Sequence, residues 1–174
     1  SINAALLVHA LGKQRVVGYN MASRFNSVTT IDNAGKLAES LGIAYREGNI
    51  EKVVSATTTT LADYGYQDTD QGLIFENIQA RTRGQLLASF AAVENGVVVN
   101  NGNKVEVALG YCTLYGDSIG ALAPIGDLTK VQLFTLAKDI NDAFDQEIIL
   151  TNLLPKMADG SLEWEIKPSA ELRN

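Results

Sequence analysis

Short apolar runs alternate with longer helix-forming segments along this chain, and that alternation restricts its fold more than any other feature. Each run is apolar or β-branched over a few positions, which is typical of strands buried in a parallel sheet. Each longer segment repeats apolar residues at helical spacing. The predicted strands are 15–21, 43–46 and 97–99, and the predicted helices are 4–11, 31–41, 50–61, 73–94 and 127–140. We therefore predict an α/β fold with a mainly parallel sheet covered by helices on both faces.

Two of the predicted helices are preceded by residues that favour a helix start. Thr29 or Thr30 can cap the helix at 31–41, and Asp127 can cap the last helix. The side-chain oxygen of such a residue accepts a hydrogen bond from a backbone N–H of the first turn. We expect these residues to mark where the two helices begin.

The size and composition fit one globular domain. The 174 residues, 46% of them apolar and 20% charged, can bury a core of ordinary size. The formal net charge of −6 disfavours nonspecific binding to nucleic acid. No apolar stretch reaches the roughly 18 residues that a membrane span needs. The single cysteine, Cys112, favours a reducing compartment. We expect a cytoplasmic protein that binds neither nucleic acid nor membranes.

A dense polar segment, 100–117, follows the apolar run that ends at Val99. Open α/β sheets bind ligands at the carboxyl ends of their strands, so this segment is a candidate ligand site. Glu106 is predicted on the first turn of a short helix, where a carboxylate favours the positive end of the helix dipole. The alternatives are an ordinary solvated loop and, for Glu106, a capping role.

Two further positions suggest recognition of an anion. Asn77 and Arg81 are four residues apart, so a helix places them on one face, and an amide beside a guanidinium suits a phosphate or a carboxylate. Lys130 is predicted near the start of the last helix, which is the unfavourable end for a cation that has no anionic partner. A solvated helix surface is the alternative for all three residues.

Four blocks lie in order along the chain: Glu76–Arg83, Val99–Asp117, Asp127–Lys130 and Lys167–Leu172. Together they resemble the synthetase domain of the NAD synthetase family. The resemblance implies an adenine-nucleotide α-hydrolase-like, three-layer α/β/α fold. It also implies ATP-dependent amidation of nicotinic acid adenine dinucleotide to NAD with Mg²⁺, through an acyl-adenylate. It further implies that the ammonia is either free or delivered by a glutaminase domain, and that the protein is a homodimer, as members of the family typically are.

The same resemblance implies a role for each candidate residue. Lys130 and Glu106 are implied in catalysis, and Glu106 also as the magnesium ligand. The implied ATP-binding residues are Arg24, Asn101, Lys130 and Ser169. The implied dinucleotide-binding residues are Asn77, Arg81, Glu106, Tyr111 and Asp117.

The chain also departs from the family pattern. Asn101 stands where the family typically has Thr, and Leu114 and Ala121 fit the glutamine-using branch better than the ammonia-using one. Only Ser1-Ile2-Asn3 precedes the first apolar helix, so we expect 1–174 to be a single domain that lacks the family's first strand and its Ser-Gly-Gly-x-Asp-Ser pyrophosphate loop, and that carries no glutaminase domain. Two alternatives follow: an inactive or non-catalytic nucleotide-binding module of this fold, or a related ATP pyrophosphatase that amidates another carboxylate.

Overall fold

The computed structural model describes residues 1–25 and 28–153. These residues form two strands and six α-helices, together with two short 3-10 turns at Lys13–Arg15 and Thr151–Leu153. The strands are β1 (Val17–Ala22) and β2 (Ala44–Asn49). The helices are α1 (Ile2–Leu11), α2 (Val28–Leu41), α3 (Glu51–Asp63), α4 (Gly72–Val93), α5 (Lys104–Leu109) and α6 (Lys130–Phe144).

The two strands pair in parallel, with α2 as the crossover between them. Their register runs from Val17 opposite Ala44 to Ala22 opposite Asn49. This arrangement confirms the predicted β-α-β order and the parallel sheet. Both strands begin and end later than predicted. Strand β2 extends furthest, because its ladder of backbone hydrogen bonds continues through the polar residues 47–49, which an apolar pattern does not include.

The prediction of a third strand at 97–99 is wrong, because no strand forms there in the described part of the chain. Only Val99 pairs, in an isolated parallel bridge with Leu122. The backbone N–H of Asn100 donates to the oxygen of Leu122, and that of Ala121 donates to Val98. The pairing ends there because the chain turns at once into the polar segment that follows Asn100.

Two apolar clusters hold the helices in place. One contains Ala5, Leu41, Ile140 and Ile148, and it joins α1, α2 and α6. The other contains Ile50, Val54, Phe75 and Ile78, and it joins α3 to α4. Burial of such side chains is the main favourable term in folding. Within the described ranges, no helix combines the length and the apolar character that a membrane crossing requires.

The two predicted helix caps are wrong. Helix α2 begins at Val28, so Thr29 and Thr30 lie inside it. Helix α6 is capped by Thr129, whose hydroxyl accepts the backbone N–H of Gln132 while the Gln132 side chain accepts the backbone N–H of Thr129. This reciprocal capping box satisfies two free N–H groups at once, which the single carboxylate of Asp127 in the preceding turn does not do.

Two glycines bring α4 into backbone contact with the turn at 113–117. A Cβ atom on Gly84 would lie 2.3 Å from the backbone oxygen of Tyr115, and one on Gly116 would lie 2.9 Å from the backbone carbon of Ala80. No side chain fits at either position unless the backbone moves. The turn is therefore held against the middle of α4, next to Arg81.

Gly84→Ala should destabilise the protein by about 1–3 kcal/mol, because overpacking at a rigid backbone contact outweighs the helix propensity that alanine gains. Gly35→Ala is the matched control, since Gly35 also lies within a helix but a Cβ there meets no atom within 4 Å. That control should be neutral or stabilising by up to about 1 kcal/mol. Urea denaturation measures both changes. Equal effects of the two substitutions would contradict the close contact.

Candidate functional site

Helix α4 lies at the centre of the candidate site, and its two sides face different parts of it. Phe75 and Arg83 line a cleft at the carboxyl end of β1. Asn77 and Arg81 face the turn at 113–117 instead. The sequence-predicted residues therefore fall into two groups, one beside the cleft and one beside the turn.

The cleft has a volume of about 640 Å³ and mixed polar and apolar walls. It lies where the chain leaves β1, which is the position that parallel α/β folds use for ligands. Its volume is in the range of small-molecule sites. The lining residues are Ser23, Phe25, Asp70, Gln71, Gly72, Phe75, Glu76, Gln79 and Arg83.

Two arginines border this cleft. The guanidinium of Arg24 lies 4.9 Å from the ring centre of Phe75 and 5.1 Å from that of Phe25, within the range of cation–π attraction. Arg83 is half-buried, and its Nε donates to the backbone oxygen of Met21 at 3.2 Å. Burial lowers the pKa of the Arg83 guanidinium, and the nearby carboxylate of Glu51 opposes that effect. Arginine keeps its charge under these conditions, so Arg83 brings a positive charge to the cleft wall.

On the other side of α4, Asn77 and Arg81 bind the turn directly. The hydroxyl of Thr113 donates to Asn77 Oδ1 at 2.8 Å, and Asn77 Nδ2 donates to the backbone oxygen of Leu73. Arg81 Nε donates to the backbone oxygen of Leu114 at 3.2 Å. Arg81 is exposed, and among the described residues this is the one hydrogen bond of its side chain. The guanidinium is thus anchored through Nε, which leaves its outer edge with two N–H₂ groups for a ligand.

The segment from 100 to 119 is closed by its own side chains. Asn100 Nδ2 donates to the backbone oxygens of Asp117 and Ile119, both at 3.1 Å. The Asp117 carboxylate accepts the backbone N–H of Thr113. Tyr111 is half-exposed beside this turn. Asp117 and Tyr111 therefore lie on the same closed loop as the partners of Asn77 and Arg81.

Asn101 and Glu106 lie on either side of the start of α5. Asn101 is exposed, and its Oδ1 accepts a hydrogen bond from Asn3. Glu106 Oε2 accepts the backbone N–H of Asn103 at 2.8 Å, while the Asn103 side chain accepts the N–H groups of Val105 and Glu106. Glu106 therefore lies on the first turn and completes a capping box, as the capping alternative predicted. A carboxylate has two oxygens, so this bond still leaves one for a ligand.

The starts of α5 and α6 lie side by side. The backbone N–H of Lys104 donates to the oxygen of Leu128 at 2.9 Å, and Lys130 is the first residue of α6. This contact brings the Lys130 end of α6 to the polar segment that contains Asn101. Ser169, the remaining predicted residue, lies outside the described residues.

In residues 1–25 and 28–153, no group of three or more His, Cys, Asp or Glu side chains is arranged to hold a metal ion. Glu106 is thus not part of a metal cage built from these residues. Magnesium typically binds one or two carboxylates together with substrate phosphates, so a single carboxylate fits a metal that arrives with a nucleotide.

Two side chains that hold the predicted site residues were not predicted from the sequence. Asn3 is buried in the apolar helix α1 and bonds Asn101, and Thr113 bonds Asn77. Asn3 carried no clear signal, because the predicted helix begins after it and its burial is visible only in the structure. Thr113 carried none, since its partner lies 36 residues away.

The parallel β-α-β unit and the cleft at the end of its first strand define an α/β protein with a candidate ligand site at the strand ends. A family model described as NAD synthase matches residues 1–173, and the chain belongs to this family.

Curated relatives include both branches of the family. A glutamine-dependent NAD(+) synthetase from Synechocystis sp. is 39% identical over 173 residues, which are 99% of this chain and 29% of the relative. An NH3-dependent NAD(+) synthetase from Methanosarcina acetivorans is 38% identical over 139 residues, which are 79% of this chain and 53% of the relative. The chain thus spans about three-tenths of the first of these relatives and about half of the second.

Solved structures agree with the fold. A glutamine-dependent NAD+ synthetase from Acinetobacter baumannii in complex with ADP matches with a TM-score of 0.80 and 32% identity, over 88% of this chain and 30% of that one. An NH3-dependent NAD synthetase from Campylobacter jejuni matches with a TM-score of 0.69 and 28% identity, over 84% of this chain and 63% of that one. The predicted adenine-nucleotide α-hydrolase-like α/β fold is confirmed.

Thr113→Val should lower the free energy of unfolding by about 0.5–1.5 kcal/mol, because it removes the hydroxyl that bonds half-buried Asn77. Thr58→Val is the control, since the Thr58 hydroxyl bonds only a backbone oxygen of its own helix, α3. The control should change stability by less than about 0.5 kcal/mol. Urea denaturation compares the two. If Thr113→Val costs no more than the control, the bond to Asn77 does not hold the turn.

Proposed function

We propose that this chain supplies the ATP site and the dinucleotide site of an NAD synthetase, which amidates nicotinic acid adenine dinucleotide at the expense of ATP. The observation that carries the proposal is that hydrogen bonds join Asn77 and Arg81, on one face of α4, to the turn at 113–117. An anchored guanidinium and an oriented amide beside a closed polar loop suit a ligand that carries phosphates and a carboxylate. Family membership supplies the reaction class.

On the dinucleotide side, Arg81 offers its outer N–H₂ groups to an anionic group of the ligand. Asn77 is held by Thr113, so its orientation does not have to be fixed when the ligand binds. Asp117 and Tyr111 contribute the wall of the same loop, and Glu106 borders it from α5. A site whose side chains are already oriented loses less entropy on binding.

On the ATP side, we propose that Asn101 contacts the nucleotide and that Arg24, at the rim of the cleft, contacts the α-phosphate. Lys130, at the start of α6, contacts the terminal phosphates, and Ser169 contacts the phosphates near the metal. The ADP complex of the Acinetobacter baumannii relative supports a nucleotide as the ligand of this fold. Positive side chains that are already in place stabilise the charge of a departing pyrophosphate.

The proposed chemistry has two steps. A carboxylate oxygen of the dinucleotide attacks the α-phosphorus of ATP and forms the mixed anhydride bond of an acyl-adenylate, while the bond to the β-phosphate breaks and pyrophosphate leaves with its electron pair. Ammonia then attacks the acyl carbon, loses a proton, and displaces AMP to leave the amide. No side chain has to act as a nucleophile, so the residues contribute mainly by positioning the two substrates and by stabilising phosphate charge.

The proposal includes a magnesium ion with the nucleotide. The fit rests on hard oxygen donors, because Glu106 offers one carboxylate and the substrate offers phosphate oxygens. When bound, the ion would neutralise phosphate charge. Lys130 would share that task, and the capping bond to Asn103 would hold the Glu106 side chain in place.

The ammonia source, the oligomeric state and the compartment are also proposed from the family. The ammonia is free or comes from a glutaminase domain, and both kinds of relative occur. We propose a homodimer in the cytoplasm, and one domain over 1–174.

Exchange of labelled pyrophosphate into ATP tests the function most directly, because it reports adenylation without requiring ammonia. We expect exchange that depends on nicotinic acid adenine dinucleotide. Exchange with a different carboxylate only would indicate a related ATP pyrophosphatase. Binding of ADP without exchange would indicate a non-catalytic module, and either result would overturn the proposed reaction.

Arg81→Lys should raise the Kd for the dinucleotide about tenfold or more, because an ammonium cannot donate to Leu114 and to a ligand through one rigid planar group. Arg46→Lys is the control, since Arg46 is an exposed arginine paired with Glu94 away from the site. The control should change the Kd by less than about twofold. Titration calorimetry measures both. Equal Kd values for the two variants would exclude Arg81 from the dinucleotide site.

Magnesium alone should leave the melting temperature unchanged, whereas magnesium with ADP should raise it further than ADP does. The reason is that the described residues offer the ion no cluster of three acidic or imidazole ligands, so binding requires phosphate oxygens. Glu106→Gln should remove the additional shift. Differential scanning fluorimetry measures these shifts, and a clear shift from magnesium without nucleotide would contradict a metal that binds with the substrate.

A further inference from the structure

Asn3 is a buried amide in an apolar helix. Its side chain is 4% exposed, and its neighbours on α1 pack into the cluster around Ala5 and Ile148. Burying an amide is unfavourable unless hydrogen bonds compensate for the lost water. Packing alone does not explain a buried amide at this position, but the hydrogen bonds of the Asn3 side chain do.

The Asn3 side chain reaches from α1 to the polar segment that follows Val99. Its Nδ2 donates to the backbone oxygen of Asn100 at 2.9 Å and to Oδ1 of Asn101 at 2.9 Å. These contacts span 97 and 98 positions of sequence. The two N–H groups of one amide are thus directed at two neighbouring residues of the candidate site.

The backbone oxygen of Asn100 determines which way both amides face. A carbonyl oxygen only accepts hydrogen bonds, so the Asn3 atom next to it must be Nδ2. The same nitrogen faces the Asn101 side chain, so the Asn101 atom next to it must be the acceptor Oδ1. Asn3 Oδ1 is left buried, without a hydrogen bond from any described residue. The Asn3 amide therefore keeps this orientation although its own oxygen has no hydrogen-bond partner among the described residues.

This arrangement turns the N–H₂ group of Asn101 away from Asn3. Asn101 is exposed, so its Nδ2 is presented on the surface of the site while its oxygen is occupied by Asn3. An amide held this way turns its donor group toward the ligand. The group it recognises must then be a hydrogen-bond acceptor, such as a phosphate oxygen, a ribose oxygen or an unprotonated adenine nitrogen.

We infer that Asn3 is a positioning residue that fixes the carboxamide of Asn101 so that its Nδ2 donates to an acceptor atom of the bound nucleotide. The inference rests on the proposed function, because it takes the nucleotide as the ligand of Asn101. To the proposed ATP site it adds Asn3, a residue of α1 that is distant in sequence. It also requires that the ligand atom next to Asn101 be a hydrogen-bond acceptor. Without Asn3, the Asn101 side chain can turn either end of its amide toward the ligand. Fixing one orientation when the ligand binds then costs conformational entropy and weakens binding.

A double-mutant cycle with ADP as the probe tests the inference. Asn3→Leu should weaken ADP binding about three- to tenfold, which is the range for the loss of one oriented hydrogen bond. In the Asn101→Ala background the same substitution should change the Kd by less than about twofold, because no amide remains to be oriented. A purely structural role of Asn3 would weaken binding equally in both backgrounds. Ile140→Val, a core change in the same apolar cluster, controls for general destabilisation and should leave the Kd unchanged.

Side-chain amide exchange measured by NMR on the unsubstituted protein gives a second, independent test. The Asn3 N–H₂ group should exchange slowly with or without ADP, and the Asn101 N–H₂ group should become protected only when ADP is bound. Equal weakening in both backgrounds, or an Asn101 amide that ADP leaves unprotected, would overturn the inference while nucleotide binding stands. An unsubstituted protein that binds no ADP would instead overturn the proposed function, and the inference with it.

Discussion

The close contact between α4 and the turn at 113–117 is the constraint on which the candidate site depends. Gly84 and Gly116 let two backbones approach to a distance that no side chain would permit. That approach brings Leu114 within hydrogen-bond reach of Arg81 and Thr113 within reach of Asn77. Without it, two polar residues on a helix would face only water, as the alternative interpretation of the sequence held.

The other half of the site is held by a chain of polar contacts from α1 to α6. Asn3 bonds the segment that begins at Asn100, the capping box at Asn103 starts α5, and Lys104 bonds the turn before α6. Each link satisfies a backbone or amide group that would otherwise be unpaired. The same bonds that complete the secondary structure therefore also set where Asn101, Glu106 and Lys130 lie.

Local patterns in the sequence predicted most of the fold. The order of strands and helices depends on apolar spacing, which is visible within a short window, and α1, α3 and α4 have nearly the predicted bounds. The errors arose where nearby polar groups compete. Thr129 with Gln132 formed a better cap than Asp127, and the strand predicted at 97–99 was reduced to a bridge at Val99.

The site was only partly predictable for a related reason. Arg81 and Asn77 could be assigned to one helix face by spacing, but their partners on the turn lie more than 30 residues away. Nothing in the sequence near Asn101 indicates that its partner is Asn3. Long-range pairs of this kind follow from the tertiary fold, and the apolar pattern that predicts helices carries no information about them.

We propose that the turn held against α4 forms the dinucleotide site. Hydrogen–deuterium exchange of the backbone amides at 111–117, with and without nicotinic acid adenine dinucleotide, measures this directly. We expect the dinucleotide to slow exchange in this turn and in the Asn77–Arg81 part of α4, while exchange in β2 stays unchanged. Unchanged exchange at 111–117 under saturating dinucleotide would contradict it.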